Sequence, residues 1–232
     1  MQRIITRHIG FSLIALVMIL VALGHTLSGT AIAQTPAPII LFDDDFATYS
    51  HRWAESESPK ASAYYTEETF TISIVSPGVN LWSVPDFTTP LYDYHLTVSA
   101  HIHNGGADAQ FGVILDRTDD DQFYAWVIAL DGSWYFLHHV DGVWHDLTPP
   151  DAILPDDVTA QFASGARESV RLQVDVTGDN TLTFTVNDHD LATIIVDETL
   201  TGSVFGVIAR AEHGFIDVAF DDMLVTDHRE MQ

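Results

Sequence analysis

The chain has no cysteine, a single lysine (Lys60) and, beyond residue 33, no apolar run long enough to cross a membrane. Each absence excludes something. Without cysteine there is no disulfide and no thiol nucleophile, so stability must come from core burial or a bound metal. Nine basic residues stand against 33 acids, for a net charge of −24. Such a surface repels phosphate backbones and anionic headgroups, so no nucleic-acid partner and no docking to anionic lipid are expected. The Gly-x-Ser-x-Gly elbow and the Walker loop are missing, which removes the simplest esterase and nucleotide-hydrolase readings. No segment carries a clear helical period.

The first 33 residues contain no acid. Arg3 and Arg7 precede an apolar run, Phe11 to Leu23, interrupted only by Ser12, and Ala31-Ile32-Ala33 follows as a small-x-small site. This is the three-part pattern of a secretory signal peptide, and the run is shorter than the roughly 18–20 residues that span a bilayer. Cleavage after Ala33 is expected, with a secreted or cell-surface chain and no membrane insertion afterwards. Losing Arg3 and Arg7 takes the net charge from −24 to −26. Residues 34–232 then suffice for one β-sandwich domain.

Short alternating runs fill that domain. Leu96, Val98, Ala100 and Ile102 alternate with His95, Thr97, Ser99, His101 and His103; Val170 to Val176 and Leu182 to Val186 do the same. Turn signals recur between them, as in an antiparallel sandwich. Residues 148–167, with Pro149, Pro150 and Pro155, read as a long loop.

The richest stretch is Asp108 to Leu147, a four-stranded meander. Asp131-Gly132 and Asp141-Gly142 are two-residue hairpin signals. They set Ile128 opposite Tyr135, Trp126 opposite Leu137 and His139 opposite Trp144; pairing Asp116 with Gln122 is assumed. One side, with Phe111, Val113, Phe123, Val127 and Phe136, reads as core. The other carries Trp126, Tyr124, Tyr135 and Trp144, interleaved with Gln110, Asp116, Gln122, His139 and Asp146. Aromatic rings beside fixed polar groups suit a sugar chain, and Gly112, opposite Trp126, leaves a gap for a ring. The competing reading buries these aromatics under residues 148–167 as ordinary core. His95, His101 and His103 share one face, while His138 and His145 are cross-strand partners; all are read as polar sheet positions because no zinc spacing appears.

The segments FDDDF (42–46), QFGVILDR (110–117), FYAWVIALDGSWYFL (123–137), VDGVW (140–144), SVRLQVDVTGDNTLTFTVNDHDL (169–191) and VAFDDMLV (218–225) resemble, in order, the concanavalin A-like lectin/glucanase jelly roll of the laminin-G-like kind. The chain is similar also to the 3-keto-disaccharide hydrolase domain. The resemblance implies an all-β, two-sheet jelly-roll sandwich whose first and last strands are neighbours. It implies a structural calcium ion there, with Asp221 and one or more of Asp43, Asp44 and Asp45 as ligands. The Glu-x-Asp-x-x-Glu strand of laminarinase-type members is absent. The expectation is therefore an exported domain that binds carbohydrate or another extracellular polymer without cleaving it. A glycan-modifying hydrolase and an adhesion or scaffold domain are the alternatives.

Overall fold

The structure, a computed structural model, describes residues 37–228 except positions 51, 67, 88, 90, 120, 164–168 and 201–203. The expected leader and its cleavage site lie outside the described residues. No described helix is long and apolar enough to cross a membrane.

Two antiparallel sheets face each other. The larger holds β1 (Ile40–Asp44), β2 (Ser56–Glu57), β3 (Ala61–Tyr65), β4 (Phe70–Ile74), β6 (Tyr94–Gly105), β11 (Val170–Thr177), β12 (Thr181–Val186), β13 (His189–Ile195) and β15 (Ile216–Asp227). The smaller holds β5 (Val79–Ser83), β7 (Gln110–Asp119), β8 (Gln122–Ala129), β9 (Trp134–Val140), β10 (Val143–Asp146) and β14 (Gly206–Ala211). The larger sheet runs β13-β12-β11-β6-β15-β4-β3-β2, with β1 also on β15; the smaller runs β10-β9-β8-β7-β14-β5. As the resemblance implies, the first and last strands pair, Asp43 opposite Leu224 and Asp44 opposite Met223.

The alternation read in β6, β11 and β12 sends Leu96, Val98, Val174, Leu182 and Phe184 into the space between the sheets, all without solvent exposure. A helix, α1 (Asp156–Ala163), corrects the long-loop reading of 148–167. Pro155 precedes it, and Asp156 and Asp157 sit in its first turn, where negative charge suits the helix dipole. Its one-turn-spaced Val158 and Phe162 pack on the core, Phe162 edge-on to Phe111. Two large apolar residues, Val158 and Phe162, are too few to reveal a helical period.

The meander holds the main correction. At Asp141-Gly142 the expected two-residue turn forms, with φ of 51° and 78° and Val140 opposite Val143. At Asp131-Gly132 it does not. Gly132 N–H donates to the Ala129 carbonyl at 3.1 Å, and Ala129 N–H to the Ser133 carbonyl at 2.8 Å. The loop is thus Leu130-Asp131-Gly132, three residues, with Gly132 left-handed at φ 94°. That is the other common hairpin, a turn closed by a bulge glycine. The extra residue moves Trp126 opposite Phe136 and Tyr124 opposite His138. A one-residue slip turns every side chain of a strand to its other face. Hence Tyr124, Trp126 and Ile128 point between the sheets, and Phe123, Ala125 and Val127 point outward. The β7–β8 register moves too: Gly112 faces Val127, and Gln122 faces Asp119, not Asp116.

Candidate functional site

The outer faces of the two sheets differ in kind. That of the larger sheet is polar and cross-linked: His95 Nδ1 lies 2.7 Å from Asp175, and the Thr183 and Thr193 hydroxyls are 3.1 Å apart. It is a solvated face of the usual sort. The outer face of the smaller sheet is apolar and aromatic. Ile114, Phe123, Ala125, Val127, Leu137 and Ile208 cluster there, with Trp82, Val84, Tyr135 and Trp144 packed on them and partly exposed.

Phe123 is the hub. Its ring centroid lies 5.1 Å from Trp82, 4.9 Å from His139 and 5.6 Å from Trp144, and His139 is 4.6 Å from Trp144. Beside them β14 supplies Arg210, only 7% exposed. Its guanidinium carbon sits 4.6 Å above the Trp144 ring. Nη1 donates to Gln110 Oε1 at 2.7 Å, Nε to Asn80 Oδ1 at 3.1 Å, and Nη2 is 3.7 Å from Glu212. Burial pulls the Arg210 pKa down, opposed by Glu212, Tyr135 and Asp146. Burial also lowers the His139 pKa, with Arg210 adding to it and Asp121 opposing it. The His139 Nδ1 is buried without a hydrogen-bond partner. Three part-exposed rings around a fixed cation and amides can pack against C–H groups and meet hydroxyls at set positions.

Of the residues expected from sequence, Gln110, Tyr135, His139, Trp144 and Asp146 belong to this face. Four do not. Trp126 is fully buried between the sheets, 5.1 Å from Phe184, and its indole Nε1 has no hydrogen-bond partner. Tyr124 is 4% exposed and stacks on Phe136 and His138. Asp116 occupies a bulge of β7 at φ 50°, and Gln122 begins β8; both line a recess at the edge of the sandwich. No gap lies at Gly112: an added Cβ would come 2.0 Å from the Trp126 carbonyl oxygen, so the glycine serves close approach of the strands. Sequence reading missed Trp82, Phe123, Asn80, Arg210 and Glu212. The signal for Arg210 was a lone cation in the apolar strand Gly206–Ala211, but only the pairing of β14 with β7 and β5 gives it meaning.

At the seam of first and last strands, Asp44 is committed elsewhere. Its Oδ2 accepts the Trp53 indole N–H at 3.1 Å and its Oδ1 the Phe46 N–H at 3.0 Å. Asp45 accepts the Ala47 N–H. Asp221 has a raised pKa from burial, with Asp222, Asp45 and Glu68 adding repulsion. Among the described residues no three His, Asp or Glu side chains gather closely enough to hold a metal.

Searches against known families found no matching family, and no curated protein matches. Solved structures do match. A carbohydrate-binding module, CBM66 from Bacillus subtilis, superposes at TM-score 0.55 and 11% identity, over 75% of this chain and 95% of that one. A Bacillus subtilis protein of unknown function with a galectin-like fold gives 0.57 and 11%, over 84% and 98%. The β-agarase A of Zobellia galactanivorans gives 0.58 and 10%, over 85% and 97%. The fold is a concanavalin A-like sandwich. Identities this low establish the architecture and leave activity to the site.

Proposed function

We propose that the outer face of the smaller sheet binds a neutral carbohydrate polymer without cleaving it. The observation that carries this reading is the set of part-exposed Trp82, Tyr135 and Trp144 rings around an Arg210 held by Asn80 and Gln110. Sugar rings pack their C–H faces on aromatic rings, and the buried polar groups fix the hydroxyl pattern. The acidic surface favours a neutral glycan over an anionic one. The match to a carbohydrate-binding module and to a galectin-like fold supports the same reading.

A glycan array followed by titration of any hit tests it. Trp144→Ala and Trp82→Ala should each weaken binding about tenfold, near 1.4 kcal/mol, with the fold intact. Unchanged affinity in both would end the proposal. A hydrolase of the 3-keto-disaccharide type is the second reading, and one observation favours it: Asp146 and Glu212 both act on Arg210 at this face, and glycoside hydrolysis uses two carboxylates. Release of reducing sugar from a bound glycan, abolished by Glu212→Gln, would replace binding with catalysis.

Export through residues 1–33 is part of the proposal and is checked by N-terminal sequencing of the secreted chain. Calcium at the strand seam is a separate proposal. The repulsion felt by Asp221 supports it, but Asp43, Asp45 or Asp222 must close in on the ion, with Asp44 left on Trp53. Melting temperatures that are equal in calcium and in chelator would reject it.

A further inference from the structure

A second polar site lies at the edge of the sandwich, around side chains that the aromatic face does not use. There β8 and β9 meet the segment that follows β13. Tyr124 and His138 are opposite each other across the two strands, and their rings stack at 4.2 Å and 13°. Glu198 approaches from the other side, its Oε2 3.8 Å from His138 Nε2. Two cavities, of about 40 and 340 Å³, meet at these three side chains.

His138 is 8% exposed, and its Nε2 is buried with no hydrogen-bond partner. The 3.8 Å to Glu198 is too long for a hydrogen bond, and one donor placed to the side of the line joining the two atoms can reach both. A buried polar atom left alone calls for an explanation. The backbone of Asp116 adds a separate signal. A non-glycine residue at φ 50° within a strand is strained, and such strain collects at functional positions. Its carboxylate acts electrostatically on both Tyr124 and His138.

The chemistry of the walls selects the ligand. Asp116, Asp197 and Glu198 line the cavities, and among the described residues no lysine or arginine does. An anion is excluded by charge. Among the described residues no three His, Asp or Glu side chains gather here as a metal site would favour. Burial keeps the imidazole below its ordinary pKa, hence neutral at pH 7, and pushes the Tyr124 phenol up to about 12. The site therefore presents a carboxylate, an imidazole lone pair and a stacked aromatic pair, a set that matches a compact cation with several N–H donors. The larger cavity is at the lower end of the size range for small-molecule pockets, roughly 300–1,000 Å³.

We propose that this recess binds a protonated primary amine on a sugar-sized molecule, the ammonium bridging His138 Nε2 and the Glu198 carboxylate. The inference is independent of the aromatic face. Titrations of glucosamine, glucose and N-acetylglucosamine at pH 7, followed through the histidine ring signals by NMR, test it. Glucosamine should shift the His138 signals saturably, and the other two should bind at least about tenfold more weakly. Glu198→Gln, at a side chain 60% exposed, should fold normally and lose the same factor. Trp144→Ala, on the other face, should leave glucosamine binding unchanged. Equal binding of all three sugars, an unaffected Glu198→Gln, or no saturable shift of His138 would each overturn the proposal.

Discussion

Truncating Trp126 removes an indole with no solvent exposure that is wedged against Phe184 between the sheets. Substitutions of this kind cost about 3–5 kcal/mol, so Trp126→Ala should be strongly destabilised in a denaturant titration. Any glycan binding that survives should keep its affinity, because the ring touches no part of the aromatic face. Trp144→Ala should show the opposite pattern, near-normal stability and weakened binding. Arg210 is different from both. It is buried, yet its guanidinium makes hydrogen bonds to β5 and β7 and stacks on β10, so it ties four strands together. Its stem and charge are both used, and a lysine could not reproduce the fork.

At the scale of elements, the two Asp-Gly hairpins show what the letters contain and what they lack. The dipeptide marks a turn correctly at both places. It does not say whether glycine is the second residue of a two-residue loop, as Gly142 is, or the third of a three-residue loop, as Gly132 is. That single residue decides which face of β8 is core. The clean alternation of β6, β11 and β12 made the sandwich legible, and the faces of β9 and β10, and of β7 as far as Leu115, came out as read. The candidate site was legible only where it lay within one meander; Arg210 and Trp82 join it through pairings more than a hundred residues apart in part. Gly132→Ala tests the loop. A left-handed alanine costs about 1–3 kcal/mol, and its Cβ would sit 2.8 Å from the Thr159 hydroxyl of α1. The variant should melt lower, whereas Gly142→Ala, with open space around its Cβ, should lose only the conformational part.

For the whole molecule, acidification acts first through two neighbouring histidines. Burial holds His138 and His139 below the ordinary value of 6.5. Glu198 and Asp116 oppose this at His138, and Asp121 at His139, while His145 and His139 reinforce it at the former and Arg210 at the latter. The unfolded chain therefore takes up protons, just below that value, that the folded chain refuses. Stability is complete above 6.5 and falls with pH until the folded values are passed. The lowered carboxylates, Asp108 held by His213, Asp157 by His189 and Asp179 by Thr177, matter only further down, below 3.8. A urea midpoint at about pH 5.5 should thus lie below that at about pH 7.5, and His139→Asn should shrink the difference.

The last strand, β15, lies inside the larger sheet, between β6 and β4, and also carries β1. The most C-terminal described strand is therefore the one that joins the two halves of that sheet. Without residues 216–227, β4 and β6 have no common neighbour and β1 has no partner in the sheet. The seam of the larger sheet therefore depends on non-local pairings, which are slow to form. Loss of the dozen residues of β15 would leave two fragments of a sheet with no seam.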